Sequence, residues 1–250
     1  MIVERGAAWQ RAQFLKMLAL SMLVDSRFRP SLECVELARR AVAASEEANK
    51  PAEAVHVNFV LGLIELFHGD FGDAAAQCEK AFRMAERTGD LVLQARCLTY
   101  CAVAYRRLSD VPRCRTEAEK TLVLAEELKM VEYVAMAKAT LAWVAWREKN
   151  EVEAEKLAGE ALDLWHAMDD PYSMDWMALW PLITIAFARK NIGRAVELAS
   201  GLLEDNQHPP PEELSAVVRK ACEDWQNGVQ EEAVSDLAEA IKIAEELHYI

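Results

Sequence analysis

The chain predicts an all-α fold, a solenoid of about six helix pairs, on three observations. Small residues recur at a step of forty, with Ala41, Ala81, Thr121 and Ala161 in one register and Cys34, Ala74, Cys114 and Ala154 in another. Between them the apolar residues follow helical spacing, and no stretch alternates strictly as a strand would. Short polar breaks fall at matching places along each step. A period of this length marks a repeat architecture, in which each unit buries its apolar face only against its neighbours. Residues 1–250 are therefore expected to form one continuous array with no separate cores.

The first unit covers about 9–49 and ends at Asn49-Lys50-Pro51. The second, 50–89, breaks internally at His68-Gly69-Asp70 and ends at Thr88-Gly89-Asp90. The third, 90–129, has its internal break at Leu108-Ser109-Asp110 and its end at Leu128-Lys129-Met130. The fourth, 130–169, breaks at Lys149-Asn150-Glu151 and ends at Asp169-Asp170-Pro171. The fifth, 171–206, breaks at Arg189-Lys190-Asn191 and runs into the proline-rich stretch Asn206 to Pro211. The sixth, 210–248, closes with an amphipathic helix from Glu231 to His248, apolar at Ala233, Leu237, Ala240, Ile241 and Ala244. At these breaks Gly, Asn and Asp accept the left-handed geometry that ends a helix or cap the next one, while Pro starts a helix or forbids its continuation. Twelve helices follow, most of fifteen to nineteen residues. Pro181 lies inside the fifth unit's first helix, where it removes a hydrogen bond and clashes with the preceding turn. A kink or restart is expected near Trp176 to Pro181, opening space beside Trp180 through which a small ligand would enter.

Composition bounds the function. With 52% hydrophobic and 28% charged residues the chain carries enough apolar surface to fold. A formal charge of -13 repels phosphate backbones and anionic lipid, which argues against nucleic acid as a direct partner. The apolar runs Phe14 to Val24 and Trp176 to Ala188 are interrupted by Lys16 and Pro181 and are too short to span a bilayer. Met1-Ile-Val-Glu-Arg5 leads into amphipathic pattern with no cleavable apolar core, so a cytoplasmic location is expected. Cys34, Cys78, Cys97, Cys101, Cys114 and Cys222 stand where other units carry Ala or Leu, which fits reduced thiols packed as small hydrophobes. His56, His68, His166, His208 and His248 are scattered, and Cys97 with Cys101 supplies only two thiols, so no metal and no cofactor are implied. Neither a G-x-S-x-G elbow, an H-E-x-x-H pair nor a Gly-rich phosphate cradle occurs, and the chain is read as a non-enzyme with no catalytic residues.

The second unit carries a family resemblance. Leu61-Gly62, then Gly69-Asp70-Phe71, then Ala74 and Ala81 resemble the tetratricopeptide repeat pattern. The other units keep the small positions but hold Ala102, Ala142 and Ile183 in place of Gly62, and Val111, Glu151 and Ile192 near the place of Phe71. The ordinary period of that family is thirty-four; the forty seen here adds about three residues to each helix. This longer form is similar to the C-terminal repeats of large bacterial ATP-dependent regulators of the maltose-regulator and LuxR-like groups. The resemblance implies a right-handed superhelix with the first helix of each unit on the concave side, and it implies which positions point inward.

With Gly62 as the reference, those inward positions include Lys16 and Arg27 in the first unit and Phe59, Leu66 and Phe67 in the second. The third unit contributes Arg96, Val103, Arg106 and Arg107, the fourth Trp143, Trp146 and Arg147, and the fifth Met177, Trp180 and Phe187 after a one-residue insertion. Neither Asp nor Glu falls at any inward position, although 41 of 250 residues are acidic. The expected surface is a locally positive, aromatic-bearing groove inside a negative shell. Arg96, Arg106, Arg107 and Arg147 would meet an anionic ligand, with Phe59, Trp143, Trp146, Trp180 and Phe187 as apolar contacts. The function expected is a non-catalytic scaffold for a protein or peptide, an amphipathic helix or an extended acidic stretch. The alternative is a small-molecule effector-sensing part of a larger ATP-dependent transcriptional regulator; the chain itself holds no G-x-x-x-x-G-K-[ST] loop and no region basic enough to grip DNA.

Overall fold

The computed structural model describes residues 6–170 and 172–250; the run Met1 to Arg5 and Pro171, at the break after the fourth unit, lie outside them. Twelve α-helices follow among the described residues, packed in consecutive pairs. They are α1 (Ala8–Asp25) with α2 (Leu32–Ala48), α3 (Pro51–His68) with α4 (Phe71–Thr88), and α5 (Leu91–Arg107) with α6 (Val111–Leu128). Then come α7 (Val131–Arg147) with α8 (Glu151–His166), α9 (Trp176–Ala188) with α10 (Ile192–Gly201), and α11 (Glu212–Gln226) with α12 (Gln230–Glu246). The first helices α1, α3, α5, α7 and α9 also touch one another in series, forming one layer, with the second helices on the other side. This is an α-solenoid.

The step of forty becomes physical in the second helices. Cys34, Ala38, Ala41 and Ser45 of α2 are buried, as are Ala74, Cys78, Ala81 and Ala85 of α4. Cys114, Ala118, Thr121 and Ala125 repeat the stripe on α6, and Ala154, Ala158, Ala161 and Trp165 on α8. Small side chains at this spacing let two helices approach closely and bury their backbones against each other. The six cysteines are all free and buried, and burial pushes the Cys97 and Cys101 thiols up to about 12. They pack as small hydrophobes.

Helix ends explain the breaks. Gly69 closes α3 at φ 105°, and Ser109, Lys149 and Lys190 take the same left-handed place in the next three units at φ 57°, 66° and 59°. The geometry is kept where glycine is lost, at a cost of about 1 kcal/mol per residue. Asp110, Asn150 and Asn191 then cap the following helix through a side-chain oxygen that accepts from the backbone N–H three residues on.

The fifth unit departs from the expected lengths: α9 has 13 residues and α10 has 10, against 16 to 18 in α1 to α8. Turns at 172–175 and 202–211 take up the difference, the second enforced by Pro209, Pro210 and Pro211. Within the Trp176 to Pro181 span where a kink or restart is expected, α9 starts at Trp176 and continues through Pro181. The carbonyl that Pro181 cannot pair, that of Met177, accepts instead from the Arg106 guanidinium at 2.8 Å. Trp180, beside which an opening is expected, is fully buried.

Candidate functional site

The array closes on itself. The loop between α1 and α2 reaches the run that joins the fifth and sixth units, far away in sequence. Arg27 donates to the carbonyls of Asp205 (2.8 Å) and Gln207 (3.2 Å), and Arg29 to those of Pro209 (3.2 Å) and Pro210. Between the two arginines Phe28 lies against the His208 ring at 3.9 Å, and Phe67 of α3 meets both rings at 4.9 and 5.4 Å. From its own side the run is fixed by Gln207, whose side-chain oxygen accepts from the Asp175 N–H at 3.0 Å. Burial, with Arg27 adding to it, lowers the His208 pKa to about 4, so the ring is neutral.

Behind this contact lies a cavity of about 420 Å³, within the size range of small-ligand sites. Arg27, Phe28 and Arg29 form one wall, Leu66, Phe67, Val103 and Arg107 the floor, and Met174, Trp176, His208 and Tyr249 the remainder. Glu212 stands at the cavity as its one carboxylate and faces Arg219 at 4.0 Å. Two buried nitrogens on the cavity's lining, Nε of Arg107 and Nδ1 of His208, have no hydrogen-bond partner among the described residues.

The second feature is a length of the chain's own backbone laid against the inner wall. After α12, residues 247–250 turn back through His248 at φ 61°. Arg107 donates to the Leu247 carbonyl (3.1 Å) and Arg106 to the Tyr249 carbonyl (3.2 Å). The Tyr249 ring lies under the Arg107 guanidinium at 4.0 Å and meets Trp176 edge-on at 5.2 Å. Arg106 is fully buried, between Trp143 and Trp176, and burial lowers its pKa to about 9. Its partners are carbonyls, not carboxylates.

The residues expected to share one groove are distributed over four places. Arg106 and Arg107 hold the 247–250 segment, and Arg107 also lines the cavity. Trp143 and Trp180 are fully buried in the packing between units, their indole nitrogens unpartnered among the described residues. Trp146 and Phe187 are half-buried and line a separate recess of about 230 Å³ with Ile241 and Glu245 of α12, while Arg147 stacks on Trp143 at 5.2 Å and donates to the Ser109 hydroxyl. Phe59 is buried 5.8 Å from Tyr100, and Arg96 lies beside Tyr133, whose phenol burial pushes up despite that charge. The reason for the spread is geometric. Neighbouring units cover Phe59, Arg106, Trp143 and Trp180, while Arg96, Arg107, Trp146, Arg147 and Phe187 stay half-buried.

Sequence reasoning missed Phe28, Arg29, Trp176, His208 and Tyr249 as site residues. Four of them stand at irregular places in the sequence, which marks the place but not the contact. Phe28 and Arg29 lie in a first-unit break longer than the others, Trp176 opens the anomalous fifth unit, and His208 sits in the proline run.

Arginines on the molecule differ in their partners. Arg39, Arg113, Arg189 and Arg194, on other faces, each pair with carboxylates, Arg189 with both Glu151 and Glu155 at 2.8 Å. Among the described residues Arg27, Arg29, Arg96, Arg106, Arg107 and Arg147 pair with none. No helix there is long and apolar enough to cross a membrane.

No family model matches the chain, and no curated protein matches it. Among solved structures it is similar to the apo form of RapI, a helical-repeat protein of the tetratricopeptide-like kind. The two share 13% identity at a TM-score of 0.61 over 95% of this chain and 64% of that one. The chain thus spans less than two thirds of that protein's length, and at this identity the likeness shows the fold alone.

Proposed function

We propose that the chain is a non-catalytic interaction scaffold whose inner wall takes a short segment of a partner protein or peptide. The observation that carries this reading is the seat of residues 247–250, where Arg106 and Arg107 donate to main-chain carbonyls and Tyr249 fits beneath a guanidinium. Carbonyls belong to every peptide, so the same donors suit a partner's backbone, and the aromatic seat adds selectivity for a ring. Stacked units hold these groups before binding, which limits the entropy lost on association. A partner segment with acidic or amphipathic character fits the unpaired inner arginines, and the net charge of -13 disfavours nucleic acid and anionic membrane. A second reading, a small effector sensed on behalf of a larger ATP-dependent regulator, draws on the 420 Å³ volume of the cavity.

The test uses a fluorescent peptide with the sequence of residues 243–250, titrated into a Tyr249→Ala chain whose own segment is loosened. Saturable binding is expected, weakened about tenfold by adding Arg107→Ala, the loss that follows from removing a charge-assisted hydrogen bond. Absence of saturable binding at millimolar peptide, with the circular dichroism of a folded helical chain, overturns the peptide reading.

A further inference from the structure

We infer that the cavity behind the Arg27 to Arg29 loop is an anion site, taking a carboxylate or phosphate joined to an apolar or aromatic body. The inference rests on the reading of the inner wall as a binding surface and names the chemistry that part of the wall selects.

Three guanidiniums converge on the cavity from two directions, Arg27 and Arg29 from the first unit's loop and Arg107 from the end of α5. None has a carboxylate partner among the described residues, in a chain that carries 41 acidic side chains against 28 basic ones. The single acid present, Glu212, faces Arg219. A guanidinium offers five N–H donors, and carbonyls satisfy only part of its charge. Arg27 and Arg29 spend one nitrogen each on the 205–210 run, and Arg107 spends one on Leu247, leaving its Nε buried and unpartnered beside the cavity.

His208 supplies a second unpartnered nitrogen, Nδ1, on the same lining. A neutral imidazole donates or accepts there according to its tautomer, which suits an oxyanion or its protonated form. The aromatic part of the lining is Phe28, Phe67, Trp176 and Tyr249. A bare inorganic ion would leave those rings without contact, so the fitting ligand pairs its charge with an apolar part. Charged donors set among aromatic faces are the pattern of a site that orients what it holds.

If these arginines only lock the ring of units together, they stabilise the chain equally in every salt. An anion site makes stability depend on the anion. Thermal denaturation of the full chain is followed at constant ionic strength with sodium chloride, inorganic phosphate, citrate, a capped hexapeptide of four glutamates around a phenylalanine and a leucine, and its glutamine counterpart. At least one anionic probe is expected to raise the melting temperature above the chloride value, and the glutamine peptide is expected not to. Arg29→Gln and Arg107→Gln are expected to raise the half-effective concentration about tenfold. Arg29 is exposed, so its variant keeps the fold, and each shift is read against the same variant without probe. A response to phosphate or citrate shows that the guanidiniums hold the anionic group of a small molecule; a response confined to the acidic peptide identifies a partner's side chains. The inference is overturned if no anion acts beyond chloride, or if both variants respond as the parent does. An anion response alongside failure of the 243–250 peptide to bind would retire the peptide reading and leave this site standing.

Discussion

The second and fifth units solve the same packing problem in opposite ways. In the second, Gly62 lets α3 meet α4 so closely that an added Cβ would lie 2.8 Å from the Cys78 sulfur and 3.2 Å from its backbone nitrogen. That contact between α3 and α4 is short-range, small and regular. In the fifth, Pro181 leaves the Met177 carbonyl unpaired, α10 stops after 10 residues, and a proline-rich run crosses to the first unit. The carbonyl is completed by Arg106 from the third unit, a residue 71 positions away. Regular units build the wall, and the irregular one brings distant groups together on it. Chemistry-bearing contacts therefore concentrate where the repeat fails.

The largest expected effect tests that division directly. Arg106→Met removes a fully buried charge but strands the carbonyls of Met177 and Tyr249, and the loss of both partners outweighs the relief of desolvation. A destabilisation of about 3 kcal/mol is expected in urea denaturation. In a Pro181→Ala background the new N–H can pair with Met177 within the helix, so the same substitution should cost at least about 1 kcal/mol less. Strict additivity of the two changes would break the comparison, because Arg106 would then owe nothing to the proline.

Gly62→Ala probes the regular side. The Cβ meets a buried sulfur and backbone that cannot yield cheaply, so a loss of about 2 kcal/mol is expected. Gly72, the second residue of α4, has nothing within 4 Å of an added Cβ, and Gly72→Ala should instead stabilise by about 0.5 kcal/mol. Equal effects at the two glycines would mean that the close approach of α3 and α4 is not what the repeat signature encodes.

The same contrast explains what could be read from the sequence. Period, helix breaks and small-residue stripes were legible because each depends on residues within one or two turns of each other, as with Gly69 and Ala74. The inward face was legible as a set of positions, and Arg107 and Phe67 of that set do line the cavity. Which inward residues are open and which are covered was not legible, because that depends on curvature. Trp143 and Trp180 occupy the same helical face as Arg107, yet the neighbouring units bury them completely. Tyr249 and His208 reach the wall only after the array turns back on itself, and no local spacing carries that closure.

The smallest effect concerns that closure. His208 is neutral where it lies on Phe28, its pKa lowered to about 4 by burial first and by Arg27 second. In the unfolded chain the same imidazole takes its proton near pH 6.5. Between these values the unfolded state holds more protons, so the contribution of this group is complete above about pH 6.5 and is lost as the pH falls toward 4. Because the ring is only partly enclosed, the expected loss is about 1 kcal/mol over that interval. His208→Phe keeps an aromatic ring against Phe28 and Phe67 but cannot take a proton, and all other titrating groups are common to both chains. The difference between their stability curves should therefore open steadily in favour of the variant as the pH drops below 6.5. Parallel curves would place His208 in water in solution, which would unfasten the first unit from the fifth and leave the cavity without one of its walls.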